Sequence, residues 1–314
     1  MNASAQEVIS VEGLSKHFRG VFAVQPMNFS IQRGEIFGLV GPDGAGKTTL
    51  MRMCAGVMRP DKGDISIDGV DVVRNPEEAK KHLSYMPQRF GLYEDLTVDE
   101  NIRFYADLFE ISPQLRNSRA GDLLAASGMS EFRKRRAGNL SGGMKQKLGL
   151  ICALVHTPRV LLLDEPTTGV DPVSRRDFWH ILYGLRESGV TIVISTAYLD
   201  EAERCTRLAL LHNGRLRYCD TPQKLKKLMP GGLVKVRSSD PRAARDVLVP
   251  LPGVSSTMLV GDGVHAVVDD SARRIPEIRD ALQSRNISVS DVAAIQPGIE
   301  DLFVGLLGNE ANSP

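Results

Sequence analysis

The sequence predicts an α/β fold around a buried parallel sheet, followed by a small α+β domain. Three observations carry the prediction. The short apolar segment Glu35-Ile36-Phe37-Gly38-Leu39-Val40 runs into a glycine-rich loop, Gly41 to Thr48. A proline-free stretch of mostly good helix formers, Thr49 to Ala55, follows and is stopped by Gly56. Val160-Leu161-Leu162-Leu163 is a continuous apolar run of strand length, the mark of a parallel strand covered on both faces. After the linker Pro230-Gly231-Gly232 the pattern restarts as strand, helix, two strands, helix and strand. The expected boundaries are therefore residues 1–229 and 230–314.

The bulk numbers suit a packed globular chain. Its 314 residues are 42% hydrophobic and 25% charged, with a net charge of +1, which gives no electrostatic case for nucleic acid or acidic lipid as partner. Cys54, Cys152, Cys205 and Cys219 show no C-x-x-C spacing and read as reduced structural thiols. Met1 to Gln6 has neither a basic nor an apolar leader region, so no signal peptide is expected. The best apolar run, Leu148 to Val155, stops at His156 and Pro158, short of the ~20 residues that a spanning helix needs. The expectation is a soluble chain.

Taken in order, Val8–Val11, Val21–Val24 and Met27–Ile31 read as three short strands of an antiparallel layer. Phe18 lies between the first two, where an aromatic can stack on a purine or pack in the layer. Pro60 to Gly63 is a turn, Asp64 to Gly69 a half-exposed strand and Leu83–Met86 another strand, with Pro87-Gln88 after it. Residues 93 to 136 change character: Asn101–Phe109 and Leu123–Ala126 are helical by pattern, and Arg133 to Arg136 reads as a solvated basic face. A helix is expected over Met144–Leu154, with Ser141 as its N-cap. Phe178–Leu185 and Leu199–Arg204 are further helices, and Thr191–Thr196 is a buried strand that Ala197 follows. Leu208–Leu211 and Leu216–Tyr218 flank an Asn-Gly hairpin turn. Beyond the linker come strands at Leu233–Val236, Thr257–Val260, His265–Val268 and Val289–Ile295. Helices are expected at Pro241–Val249, Ile275–Ser284 and Ile299–Leu307. This βαββαβ order is the ferredoxin-like arrangement, and it carries no site pattern.

Three stretches carry chemistry. Gly41-Pro42-Asp43-Gly44-Ala45-Gly46-Lys47-Thr48 fits G-x-x-x-x-G-K-[ST] in the required strand-loop-helix context. Its glycines let backbone N–H groups converge on phosphate oxygens beside a helix N-terminus. Lys47 can reach the β and γ phosphates, and Thr48 can hold Mg²⁺. Asp164 and Glu165 leave the buried strand at its carboxyl end, where ligands bind in open α/β sheets. There an acid downstream of a phosphate loop holds Mg²⁺, which leaves Glu165 to orient or deprotonate a water. Ser141, Gly142 and Gly143 form a second anion-ready helix start, or a capped helix and nothing more.

With these stretches in hand, residues 7 to about 225 resemble the ATP-binding subunits of ABC transporters. Gly41 to Thr48 looks like the Walker A loop, Leu140-Ser141-Gly142-Gly143 like the family signature, and Leu161 to Glu165 like Walker B with its catalytic glutamate. By the same resemblance Gln88 falls at the Q-loop, where it reads metal and γ-phosphate with Lys47. Asp171 falls at the D-loop and Phe18 at the adenine-stacking aromatic. Thr49, next after the Walker A loop, joins the nucleotide-binding set, and residues of about 90–140 match the helical subdomain that meets the membrane subunits. Gly41 to Gly44, Tyr85 to Tyr93 and Tyr198 to Glu203 are similar to the first ATPase half of multidrug-type exporters of the ABC-2 class.

The resemblance implies ATP and Mg²⁺ as ligands, with Thr48, Gln88 and Asp164 on the metal. It also implies a second nucleotide-binding domain whose ATP meets the Ser141 loop, and polytopic permease subunits on the inner face of a bacterial plasma membrane. One departure stands out. The family has a histidine against the γ-phosphate where this chain has Ala197, and His212 lies elsewhere on a later strand. This departure leads to the expectation of an unequal heterodimer rather than a homodimer, with slow turnover on this phosphate loop. A non-transport ABC protein would need coiled-coil or basic insertions, which the chain lacks, and no Asn-Lys-x-Asp motif points to GTP. Ala197 also fits a nucleotide-gated regulatory module, but the intact Asp164-Glu165 pair speaks against it.

Overall fold

A computed structural model describes residues 6–303 apart from 90, 230 and 262. Met1–Ala5, Phe90, the linker's Pro230, the central residue of the Gly-Asp-Gly turn and the end of the helix expected through Leu307 lie outside these residues. The described chain divides into two compact units. One runs to Tyr198 and takes in Cys205–Cys219. The other comprises Leu199–Arg204 and the residues from Asp220 on.

The first unit opens with β1 (Glu7–Phe18) and β2 (Val21–Gln32), antiparallel partners joined at Arg19-Gly20. Met27–Ile31 is thus not a separate strand. Pro26 is accommodated inside β2 at the outer edge of its sheet, where a missing N–H leaves no ladder partner unsatisfied. β3 (Ile36–Val40) leads into α1 (Lys47–Cys54). Then follow β4 (Lys62–Ile67), β5 (Val70–Asp71), α2 (Pro76–Lys80) and β6 (Leu83–Met86). α3 (Val98–Leu108) starts at a capping box in which Thr97 and Glu100 satisfy each other's backbone N–H. α4 (Pro113–Ala126) is longer than its sequence pattern suggested, since Ser112 caps it and Pro113 sits in its first turn. α5 (Gly142–Leu154), β7 (Val160–Asp164), α6 (Pro172–Glu187) and β8 (Thr191–Thr196) come next.

α7 (Leu199–Ala202) belongs to the second unit, and β9 (Arg207–His212) and β10 (Arg215–Asp220) follow it in the chain. α7 is shorter than the expected helix over Leu199–Arg204.

The first unit holds two sheets, ordered β2-β1-β4-β5 and β10-β9-β3-β8-β7-β6. In the second sheet β3 pairs in parallel with β8 and β9, and β7 with β6 and β8. Its strands alternate between two cores. Phe37, Leu39, Val160, Leu162 and Val193 pack with Leu50, Met51 and the antiparallel layer. Ile36, Leu161, Leu163, Ile192 and Ile194 pack with Phe178, Trp179 and Leu182 of α6. Both sides of each strand are therefore apolar, which is why these segments read as unbroken runs rather than alternation. Trp179 is fully buried; its truncation to alanine costs ~3–5 kcal/mol on the scale of large aromatic deletions. α3, α4 and α5 share a third core built on Val98, Ile102, Leu124, Leu148 and Ile151.

The second unit adds α8 (Pro222–Lys226), β11 (Gly232–Ser238), α9 (Pro241–Leu248), β12 (Val254–Val260), β13 (Gly263–Val268), α10 (Ser271–Ser284) and β14 (Val289–Ile295). Its sheet is ordered β12-β13-β11-β14 and antiparallel throughout, over a core of Val234, Val236, Leu248, Val264, Ile278 and Leu282. The helix at 299–303 is tied down by its own polar contacts. His265 Nδ1 meets Asp301 Oδ1 at 2.7 Å, and Glu203 Oε1 accepts from Ile299 N at 3.1 Å while pairing with Lys226 at 2.9 Å. No helix among the described residues is long and apolar enough to cross a membrane.

Candidate nucleotide site

The sheet aligns three carboxyl ends. Val40 lies beside Thr196 and Asp164 beside Ser195, so β3, β7 and β8 deliver their following loops to one edge. A cavity of about 800 Å³ opens there, lined by Ala23, Asp43–Thr49, Gln88, Glu165, Thr168, Ala197 and Tyr198.

The helix start on this cavity is bare. Gly46 occupies the N-cap of α1 at φ 100°, and no side chain caps the first turn. A Cβ at Gly46 would lie 2.4 Å from the Ala23 carbonyl oxygen, so any larger residue is excluded by both backbone angle and space. The first-turn N–H groups of α1 are left for an anion, with the helix dipole behind them.

Lys47 is almost wholly buried. Its ammonium donates to the carbonyls of Gly41 (2.9 Å) and Pro42 (3.1 Å) and lies 3.1 Å from Glu165 Oε1. Three acceptors match its three donors. Gln88 donates its amide N–H to Glu165 Oε2 at 3.0 Å, and the Thr168 hydroxyl stands 3.5 Å from the same oxygen. Glu165 itself has φ 48°, an unusual angle for a residue with a Cβ and one that tends to occur at functional sites.

Asp164 is buried and fully provided for. Oδ1 accepts from Thr48 Oγ1 (3.1 Å) and Ser195 Oγ (2.7 Å), and Oδ2 accepts from the Tyr85 hydroxyl at 3.2 Å. Ser195 Oγ in turn accepts from Glu165 N at 2.9 Å, which fixes both acids against β8. Burial first, and the Asp164 charge second, push the Tyr85 phenol up to about 12, so its hydroxyl stays a donor at any working pH. The Thr48 hydroxyl points its hydrogen at Asp164 and keeps its lone pairs. Hydroxyl, carboxylate and amide oxygens are the hard donors that Mg²⁺ takes alongside substrate phosphates, so this set fits that ion.

The remaining sequence-predicted residues fall outside the cavity lining. Phe18 is exposed at the end of β1, with the Lys16 ammonium 5.7 Å from its ring centroid. Ser141 caps α5, its Oγ accepting from Met144 N at 3.3 Å, and Ser141 and Gly142 face solvent. Gly143 is buried, and a Cβ there would lie 2.5 Å from Ser174 of α6. Asp171 caps α6 through Val173 N (3.1 Å) and Ser174 N (2.9 Å), and the Ser174 contact holds its carboxyl below the ordinary carboxylate range. Residues not predicted also enter: Ala23, Tyr85, Thr168, Ser195 and Tyr198. For Ser195 a signal existed, since Ser195-Thr196 is a polar end on an otherwise apolar strand.

The family described as ABC transporter matches residues 24–168. The chain is 44% identical over 311 residues to the probable multidrug ABC transporter ATP-binding protein YbhF of Escherichia coli (strain K12), a match covering 98% of this chain and 53% of that protein. The chain thus spans about half the length of that relative. It is 31% identical over 310 residues to the daunorubicin resistance ATP-binding protein DrrA2 of Streptomyces coeruleorubidus, covering 97% of this chain and 96% of that one. A solved ATP-binding subunit of an ABC transporter aligns with TM-score 0.64 and 31% identity over 70% of this chain and 92% of that chain. A dimeric bacterial ABC transporter cassette aligns with TM-score 0.62 and 25% identity over 68% of this chain and 98% of that chain. The chain belongs to the ATP-binding proteins of ABC transporters.

Proposed function

We propose that this chain binds and hydrolyses MgATP to power a membrane exporter of multidrug type. One observation carries the reading: the bare start of α1 and the Lys47–Glu165–Gln88 cluster share one cavity, with the Thr48–Asp164 pair at its floor. The first-turn N–H groups and Lys47 would take the phosphates, while Thr48, Asp164 and Gln88 would hold Mg²⁺. That ion neutralises phosphate charge and orients the γ-phosphoryl group when bound. Glu165, aimed by Gln88, polarises the attacking water. Because Lys47 already carries Glu165, a phosphate must exchange for that carboxylate, which frees Glu165 for the water as ATP binds.

In this reading Phe18 stacks on adenine, and Ser141, Gly142, Gly143 and Asp171 meet the nucleotide of a second nucleotide-binding domain. The exposure of Ser141, Gly142 and Asp171 at the starts of α5 and α6, apart from this chain's own cavity, supports that assignment. Permease subunits would hold the chain at the inner face of the plasma membrane. The names of the multidrug and drug-resistance relatives support export. Residues 230–314 form a ferredoxin-like accessory domain in our reading, supported by the strand order β12-β13-β11-β14 and its antiparallel pairing.

A second reading, a partner subunit with weak hydrolysis, is favoured by Ala197, which lines the cavity without a donor. The two are separated by comparing MgATP hydrolysis by the isolated chain with that of the complex purified with its membrane subunits, using Lys47→Ala as the blank. The exporter reading expects turnover in the complex and its loss with Lys47→Ala. An unequal pair further expects slow turnover by the chain alone. Brisk turnover by the isolated chain as a homodimer sinks the unequal pair, and a complex indifferent to Lys47→Ala sinks the ATPase reading.

A further inference from the structure

The cavity wall carries a polar side chain to which the nucleotide-binding reading above gives no role. Ala197 contributes only a methyl there, but the next residue, Tyr198, lines the same cavity as Lys47, Thr48, Gln88 and Glu165. Two contacts hold it in place. Tyr198 N donates to Thr196 Oγ1 at 2.9 Å, closing a tight turn at the carboxyl end of β8. The Arg175 guanidinium lies 4.2 Å from its ring centroid and braces the ring face from α6. The hydroxyl is committed to no other described residue. Of the threonine hydroxyls on this wall, Thr48 is engaged on Asp164 and Thr168 on Glu165.

We propose that Tyr198 takes the place of the missing histidine: its phenolic O–H donates to a γ-phosphate oxygen of bound MgATP. Arg175 acts as a positioning residue that holds the ring. A phenol is neutral and a donor near pH 7, so it offers a phosphate oxyanion a charge-assisted hydrogen bond without adding a cation. No proton is transferred and no bond is made; the contact reads the presence of the third phosphate. The proposal rests on the nucleotide-binding reading above and assigns within it the residue that distinguishes ATP from ADP.

The test uses the full chain carrying Glu165→Gln, so that bound ATP survives, and measures Kd for MgATP and MgADP. Tyr198→Phe keeps the ring and its stacking on Arg175 and removes only the hydroxyl. The expected result is an MgATP Kd about tenfold weaker with MgADP binding unchanged, the size of one hydrogen bond to a charged group. Adding Ala197→His to Tyr198→Phe should restore the preference for ATP. Equal weakening of both nucleotides, or of neither, overturns the assignment while leaving the nucleotide site standing. A parent chain that binds neither nucleotide overturns the site and the assignment together.

Discussion

Two helix starts in this chain have glycine-rich approaches and opposite character. α1 begins at Gly46 in a left-handed conformation with no side-chain cap, and its first turn lines a cavity. α5 begins at Ser141, whose hydroxyl already satisfies one backbone N–H, and it faces solvent. The difference lies in what completes each helix. α1 is left short of acceptors, a shortfall that the proposed phosphate would fill; α5 has its own side-chain cap and offers only its surface. A glycine-rich helix start is therefore a phosphate site only when its own chain leaves it unsatisfied.

The sharpest way to break the contrast is at Gly46. Gly46→Val drives a branched side chain into the Ala23 carbonyl, 2.4 Å from the Cβ position, and forces φ 100° on a β-branched residue. MgATP affinity should fall by at least ~10²-fold, which is ~3 kcal/mol of binding. Titration calorimetry on the folded variant checks it, and wild-type affinity would overturn the role given to α1.

The second start is tested by Ser141→Asp. Aspartate caps a helix as well as serine does, so the melting temperature should hold within the scatter of cap substitutions, ~0.5 kcal/mol. MgATP binding to the chain alone should also hold. In the pairing proposed above a carboxylate would then face the partner's nucleotide in place of a donor, so hydrolysis by the assembled complex should fall ~10²-fold. If the complex turns over normally, α5 is a capped helix and nothing more.

The smallest effect concerns α6, capped by Asp171. Its folded carboxyl lies below the ordinary range because Ser174 N–H and then other donors favour the charged form. A depressed folded pKa stabilises the chain above the unfolded value near ~4, and that contribution disappears as pH falls through the folded value. Asp171→Asn, which retains a capping oxygen, should be less stable than the parent at pH 7 and converge with it in acid. Melting curves from pH 7 to 3 follow the convergence; a constant gap would mean that the charge contributes nothing.

Much of the first unit was legible before any coordinates. The apolar runs of β3, β7 and β8 announced a sheet buried on both faces, and the polar residues at their ends announced the edge where Lys47, Asp164 and Glu165 now meet. What escaped was set by tertiary context. Tyr85 reaches Asp164 from a strand that looked purely structural, because a phenol at one end of an apolar ring serves core and site together. β2 read as two strands, Val21–Val24 and Met27–Ile31, but runs unbroken, since its edge position makes the missing N–H of Pro26 harmless. Tyr198 opened a stretch that the sequence marked only as family-like, with no role for its side chain. Its importance comes from lying beside Ala197 on the cavity wall.

The central chemical role falls to Glu165 once ATP is bound. The measurement is single-turnover cleavage of radiolabelled MgATP by the full chain and by its Glu165→Gln variant. We expect the parent to yield ADP. The variant should retain intact ATP more tightly, because glutamine removes the carboxylate that competes with phosphate for Lys47, and its cleavage should slow by ~10²-fold or more. Cleavage by the variant at the parental rate would contradict the account, as would a parent that holds ATP without ever cleaving it.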